Sequence, residues 1–219
     1  DRSPSRGLGD VYKRQVVDGG YGGANSIKSM VSGKSVTIHS GDFRFDPDTG
    51  WIEATSGPSQ FGRVRDDWGN WFGVQNSHPL WHYVLPVRYL RRNNDVTYTD
   101  SRHQVRMPRN PKVYPNKPPQ KRFHSYEQSG RYTSACGSSI YRDTLMFGDG
   151  DMTHAFTCEP FHNVVQHSVL RDSITSFEGE RANDGEKDFF ASADRWSRPV
   201  FTRTGPDGAL WIADMYRYM

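Results

Sequence analysis

Asp66-Asp67-Trp68-Gly69-Asn70-Trp71-Phe72-Gly73-Val74-Gln75-Asn76-Ser77-His78-Pro79-Leu80-Trp81-His82-Tyr83 packs three Trp, two His, two Asn and two Gly into eighteen residues. The rings offer rigid area to bury, whereas Asn, Ser and His offer hydrogen-bonding edges that must find partners once buried. The glycines let the backbone turn or approach another segment closely. A plain core strand has no need of so many polar groups, and a plain loop has no need of three Trp. The mixture predicts strand ends converging on a polar, concave site. Trp71 and Phe72 read as sheet core and Gln75 to His78 as a loop at the mouth of that site.

The aromatic strand inside this run recurs. Trp71-Phe72-Gly73, Ala155-Phe156-Thr157 and Leu210-Trp211-Ile212 share its character, and Gly20-Tyr21-Gly22 marks an earlier copy. A second strand follows two of the copies, at His82 to Leu85 and at Val164 to Leu170. The spacing is about 50–55 residues except where an insertion intervenes, a period that suits the four-stranded blades of a β-propeller. The expected class is therefore all-β, a fragment of about four blades, with a β-sandwich as the competing arrangement. Other strand candidates fit the class. Ser35 to His39 and Asp42 to Asp46 alternate, and Asp46-Pro47-Asp48-Thr49-Gly50 turns the second of them into Trp51 to Ala54 as a hairpin. Arg198 to Thr202 and Ala209 to Ala213 read as further strands, and no window has the spacing and caps of a convincing helix.

The insertion, at about 93–128, holds Pro108, Pro111, Pro115, Pro118 and Pro119 among many Lys, Arg and Asn residues. Proline lacks a backbone donor, so the segment reads as a solvated loop between blades, with a lid or docking arm as the functional alternative.

Length and composition set outer limits. The 219 residues carry a net charge of +3, with 34% hydrophobic and 13% aromatic residues. Residues 1–15 (DRSPSRGLGDVYKRQ) lack a strand or helix period and resemble translated library-adapter sequence, so they are set aside as non-native, leaving 16–219 as a partial propeller domain. Without that segment's four basic and two acidic residues the net charge falls from +3 to +1. With no basic block among aromatics, nucleic acid is not an expected partner. No apolar run approaches the roughly 20 residues of a membrane span. Cys136 and Cys158 have no zinc spacing; they are either one disulfide or two buried thiols.

Together the motifs resemble a known family. Gly41-Asp42-Phe43-Arg44-Phe45, Gln60 to Gly73, Asn76 to Tyr83, Tyr89-Leu90-Arg91-Arg92-Asn93, Thr133-Ser134-Ala135-Cys136-Gly137, Cys158-Glu159-Pro160-Phe161-His162-Asn163 and Gly205 to Arg217 look like the membrane-bound dehydrogenase domain of planctomycete and verrucomicrobial bacteria. The resemblance covers nearly all of residues 16–219, and the Trp-rich run carries most of its specificity. That family is similar to the soluble glucose and sorbosone dehydrogenases, six-bladed propellers that use pyrroloquinoline quinone (PQQ) with calcium. The resemblance therefore implies a quinone-dependent sugar or alcohol dehydrogenase. It would work in the periplasm or outside the cell, in some cases membrane-associated, and pass electrons to a cytochrome c domain. The alternative is a non-catalytic propeller that binds carbohydrate or a protein partner through the same face.

The resemblance also implies roles for residues. Asp18 would orient a catalytic His that lies upstream, in the part missing or replaced by residues 1–15. Gln60 and Thr133, with Ser134, would contact the cofactor. Asn76 and Ser77 would offer backbone carbonyls to calcium, and Asn76 would also contact the cofactor. Arg198 would clamp it, with Asp214 behind. Glu159 stands near the place of a cofactor-binding Lys, a departure from the pattern. Read without the family, His162 with Glu159 is the better catalytic candidate, because both follow a strand end beside Cys158. His78 and His82 are better read as structural, since residues four apart on a strand lie roughly 13 Å from each other. Asp66-Asp67 reads as a tight turn and Arg198, if not a clamp, as an ion-pair partner. The strand ends at Asn76, Glu159, Arg198 and Asp214 are expected to converge on one face.

Overall fold

The computed structural model describes residues 15–17, 26–39, 41–93, 95, 97, 100–106, 108–118, 130–141, 143–148, 152–183 and 185–218. The chain divides into two compact units, Asp1–Gln60 with Leu85–Ser101, and Phe61–Val84 with Arg102–Met219. The earlier aromatic copy at Gly20-Tyr21-Gly22 lies outside the described residues.

The first unit holds β1 (Gln15–Val17), β2 (Ser26–Lys28), β3 (Ser35–Thr37), β4 (Asp42–Phe45), β5 (Ile52–Thr55) and a single helical turn, α1 (Val87–Leu90). β1, β4 and β5 form an antiparallel sheet in that order, and β2 pairs with β3. The β4–β5 hairpin turns where its sequence predicts. Asp46 Oδ1 accepts the Asp48 and Thr49 amides at 3.0 and 3.2 Å, and Gly50 takes a φ of +65°. Behind it, the buried Asp42 carboxylate accepts the Ser59 amide at 3.0 Å and hydroxyl at 2.7 Å.

The second unit is built from β6 (Arg63–Arg65), β7 (Trp71–Gln75), β8 (His78–Tyr83), β9 (Arg102–Gln104), β10 (Cys136–Tyr141), β11 (Thr153–Glu159), β12 (Val164–Ser173), β13 (Ser176–Arg181), β14 (Phe190–Ala191), β15 (Pro199–Thr204) and β16 (Leu210–Asp214). β6-β7-β8-β9 and β10-β11-β12-β13 are antiparallel meanders of four strands, β14 adds to β12, and β15-β16 is a hairpin. All three aromatic copies are the second strands of their sheets: β7, β11 and β16. The first strands also correspond, with β10 touching both β6 and β15. Four-stranded meanders that adjoin through their first strands are propeller-like blades. The fold is all-β and propeller-like, as the repeat implies.

Turn chemistry fixes the blades locally. Between β6 and β7, Asp66 Oδ1 accepts the Trp68 and Asn70 amides at 3.0 and 2.8 Å, and Oδ2 accepts the Asn70 side chain at 2.7 Å. Between β15 and β16, Asp207 Oδ1 accepts the Ala209 amide and the Trp211 indole N–H. The blades then bury each other's faces. Phe72 and Leu80 pack with Ala155, Leu170 and Phe177, while Tyr141, Phe156 and Val165 pack toward Leu210 and Ile212 of the hairpin. At about 25 cal/mol per Å² of apolar area removed from water, these faces supply the main drive to fold.

Three expectations change. Trp71 is only half-buried and stacks under the Arg63 and Arg65 guanidiniums; the Trp of the core is Trp81, 1% exposed. The mouth loop is shorter than predicted, because β7 runs to Gln75 and β8 starts at His78. The Pro-rich insertion is not simply a solvated loop. Its Arg102–Gln104 segment lies clear of the prolines and pairs with β8 as the outer strand of the first blade, and Val105 and Val113 are buried. Among the described residues no helix is long and apolar enough to cross a membrane.

Buried histidines make the second unit acid-sensitive. His82 sits against Phe72 and Phe177 with Nδ1 at 3.0 Å from the Ser176 hydroxyl. His167 stacks on Phe156 and meets His154 Nδ1 through Nε2 at 2.9 Å. Desolvation by burial lowers both His82 and His167 to about 4. The unfolded chain therefore takes up these protons first as pH falls. Their contribution is fully present above pH ~6.5 and is lost down to pH ~4, at a cost of roughly 2–3 kcal/mol per ring. Urea unfolding across that range is expected to show uptake of two protons; a flat profile would contradict the burial.

Candidate functional site

The second unit gathers its chemically distinctive residues at one end of the blades. There the β7–β8 turn, the segment leading into β10, the end of β11, the approach to β15 and the end of β16 come together. They enclose a cavity of about 560 Å³. Phe61, Phe161, Pro160, Val200 and Met215 form its apolar walls, and Cys136 lies among them. Asn76, Ser134 and Arg198 supply its polar groups.

Glu159, the last residue of β11, anchors the wall from behind. Its carboxylate is fully buried and acts only as an acceptor. Oε2 accepts the Ser134 amide at 2.9 Å and the Thr133 amide at 3.4 Å. Oε1 accepts the Thr133 hydroxyl at 3.2 Å and His162 Nδ1 at 3.2 Å. Burial pushes this carboxyl above its usual range, and the hydrogen bonds from His162, Ser134 and Thr133 offset only part of that. The expected glutamate is thus a brace that fixes Ser134 and leads the chain into Cys136.

His162, the catalytic candidate, is held at both ring nitrogens. Its Nε2 accepts the Gly130 amide at 3.0 Å, which places the ring hydrogen on Nδ1, facing Glu159. Both nitrogens are engaged and the residue is 1% exposed, so no substrate hydroxyl reaches it. It positions Glu159 and does not line the cavity. The turn that carries it needs Asn163 at a φ of +60°, a conformation asparagine tolerates.

On the opposite wall, Asp214 ends β16 and fixes Arg198. Its Oδ1 accepts the Arg198 amide at 2.6 Å and the Tyr216 amide at 2.7 Å, and Oδ2 accepts the Ser197 hydroxyl at 2.6 Å. Burial alone raises this carboxyl, but those bonds and the Arg198 charge outweigh it and hold it below its usual range. The Arg198 side chain is 4% exposed, and Nη1 donates to the Ser197 carbonyl at 2.8 Å. A buried guanidinium in a mainly apolar wall is a fixed positive charge in a low-dielectric setting, suited to a carboxylate.

The four strand-end positions do meet. Asn76 and Arg198 line the cavity directly, Glu159 sits behind Ser134, and Asp214 holds Arg198. The Asn76 carbonyl accepts the Ala135 amide at 2.9 Å. Ser77 and Thr133 are half-buried beside the cavity's walls rather than among its lining. Gln60 belongs to the first unit, and Asp18 lies outside the described residues. Phe61, Phe161 and Met215 were not singled out by sequence, although all three fall within the motifs quoted above. Apolar wall residues carry no chemical signature of their own, so only the packing reveals them.

The donor set accords unevenly with a PQQ–calcium pair. Two Phe side chains and Arg198 fit a flat ring and one carboxylate. No Asp or Glu is among the cavity's lining, and a braced glutamate stands where a cofactor-binding Lys is implied. Among the described residues no group of three or more His, Cys, Asp and Glu is arranged to hold a metal ion. The side chains of the lining thus supply one cation and no carboxylate, and calcium would rest on the backbone carbonyls of Asn76 and Ser77.

The chain belongs to the family described as a domain of unknown function, DUF7133, which matches residues 12–219. Neither a curated protein nor a solved structure matches it.

Proposed function

We propose that this member of the family is a ligand-binding propeller whose cavity takes a small organic anion with a flat, apolar body. The buried Arg198 guanidinium in a mainly apolar lining, where it joins Phe61, Phe161, Pro160, Val200 and Met215 with Cys136, Asn76 and Ser134, carries this reading. The rings provide faces for a planar molecule, and the guanidinium sets its orientation through the carboxylate. Benzoate, indole-3-carboxylate and PQQ titrated into the full chain are expected to bind by calorimetry and to raise Tm, whereas benzyl alcohol is not. Arg198→Leu removes the charged bond, worth about 1.5–3 kcal/mol, and is expected to weaken binding about 10–100-fold. Arg198→Lys keeps the charge but loses the planar fork, and falls between. Binding of neutral sugars without binding of the acids would sink the proposal.

A second reading, a quinone-dependent sugar or alcohol dehydrogenase acting outside the cytoplasm with a cytochrome acceptor, is favoured by one observation. The positions that the resemblance assigns to the cofactor at Asn76, Arg198 and Asp214 lie together. It needs a proton acceptor beyond the cavity's described lining, which contains no His, Asp or Glu. Dye reduction by the full chain supplied with PQQ, calcium and a panel of sugars and alcohols separates the readings. Turnover supports the enzyme; PQQ binding without turnover leaves the ligand site alone.

A further inference from the structure

We propose that Cys136 and Cys158 are a disulfide-forming pair, and that oxidation joins the first two strands of the second blade at the cavity wall. The two are direct partners in the antiparallel register of β10 and β11. Register partners in antiparallel strands project from the same face, with Cα atoms about 4.5–5.5 Å apart. That separation lies within the about 4.4–6.8 Å that a disulfide spans. The side chains also share one apolar cluster, in which Cys136 packs beside Cys158, Phe156 and Val165. Both thiols are free in this structure. The cost of closure is small, because the bond that Cys136 Sγ gives up is a long one to the Val200 carbonyl, 3.4 Å.

Access fixes the order of events. Cys136 is half-buried and lines the cavity, whereas Cys158 is fully buried behind it. A small disulfide oxidant entering the cavity meets Cys136 first. The Cys136 thiolate attacks one oxidant sulfur, the oxidant's S–S bond breaks, and one thiol of the oxidant leaves. Cys158 then attacks Cys136 Sγ and expels the second thiol. One protein S–S bond forms, the oxidant is reduced to two thiols, and the two protons released by the cysteines end on them. Desolvation by burial raises Cys136 to about 12 and pushes Cys158 higher still. Thiolate is therefore scarce near neutrality, and the exchange accelerates as pH rises. The pairing does not depend on what the cavity binds.

The test uses the reduced full chain, bis(2-hydroxyethyl) disulfide as oxidant and mildly alkaline buffer without denaturant. The expected product has lost two hydrogens, yields one Cys136–Cys158 linked peptide on digestion, and melts about 5–10 °C higher. Cys158→Ser is expected to stop at a hydroxyethylthio adduct on Cys136, and Cys136→Ser to remain unmodified for the same time. Far-UV circular dichroism confirms that each variant is folded. A stable adduct on the unsubstituted chain, a linkage between two chains, or closure only after urea is added would overturn the proposal.

Discussion

Gly137→Ala is expected to be the most damaging single methyl in the second unit. Gly137 follows Cys136 at the irregularity in the β10 register and takes a φ of +48°. A Cβ there would lie 1.9 Å from the Val200 carbonyl oxygen and 2.6 Å from the Phe201 Cα. Both atoms are backbone, so no side-chain rotation relieves the overlap. Alanine also costs about 1–2 kcal/mol in the left-handed region. Relief requires β15 to move off β10, which separates the hairpin from the second blade and opens the cavity at Val200. A loss on the order of 4–5 kcal/mol is expected, a large share of the 5–15 kcal/mol by which domains hold together. Urea unfolding measures it. A loss below about 1 kcal/mol would mean that the two strands approach less closely than the structure has them.

Glu159→Ala is expected to be nearly as severe by a different route. It leaves the Thr133 and Ser134 amides and His162 Nδ1 facing a space with no acceptor. Stranded buried donors cost about 1–3 kcal/mol each, and loss of a buried charge partner about 3–5 kcal/mol, so destabilisation of roughly 3–5 kcal/mol follows. Glu159→Gln keeps one acceptor oxygen but turns an NH₂ group toward donors, and is expected to cost roughly half as much. The paired variants separate bracing from chemistry. If the glutamate only braces, ligand affinity falls in step with stability in both. If Glu159→Gln is as stable as the parent chain yet binds no acid, the brace assignment is wrong.

Strands and turns were legible because their signals are local. The alternation of Asp42 to Asp46, the Asp-initiated turns, and the aromatic second strands at Trp71-Phe72, Ala155-Phe156 and Leu210-Trp211 each depend on near neighbours alone. The repeat also carried the convergence of Asn76, Glu159, Arg198 and Asp214, because equivalent ends of equivalent strands meet where blades do. What escaped depends on partners remote in sequence. Nothing beside His162 announces that Gly130 will occupy its second nitrogen. The prolines from Pro108 onward masked an outer strand, since Arg102–Gln104, just ahead of them, pairs with β8. Trp71 and Trp81 look alike in sequence. Each lies under a guanidinium, Arg63 over the first and Arg102 over the second, and they differ in enclosure: Trp71 is half-buried and Trp81 is 1% exposed.

The register around the insertion has a bearing on how this chain can be edited. Val113 donates to the Gly130 carbonyl at 3.0 Å, and Lys112 bridges Arg131 in antiparallel fashion. Each side has its own anchor, with the Tyr114 amide on Asp188 and Asn110 donating to the Tyr132 carbonyl. The backbone that departs at Tyr114 therefore comes back to Gly130 at its own point of departure. Tyr114 and Gly130 thus stand side by side in the second unit, held by bonds of their own. A short turn joining these two residues, a reporter placed between them, or new chain ends opened there is expected to leave the order of the blades unchanged.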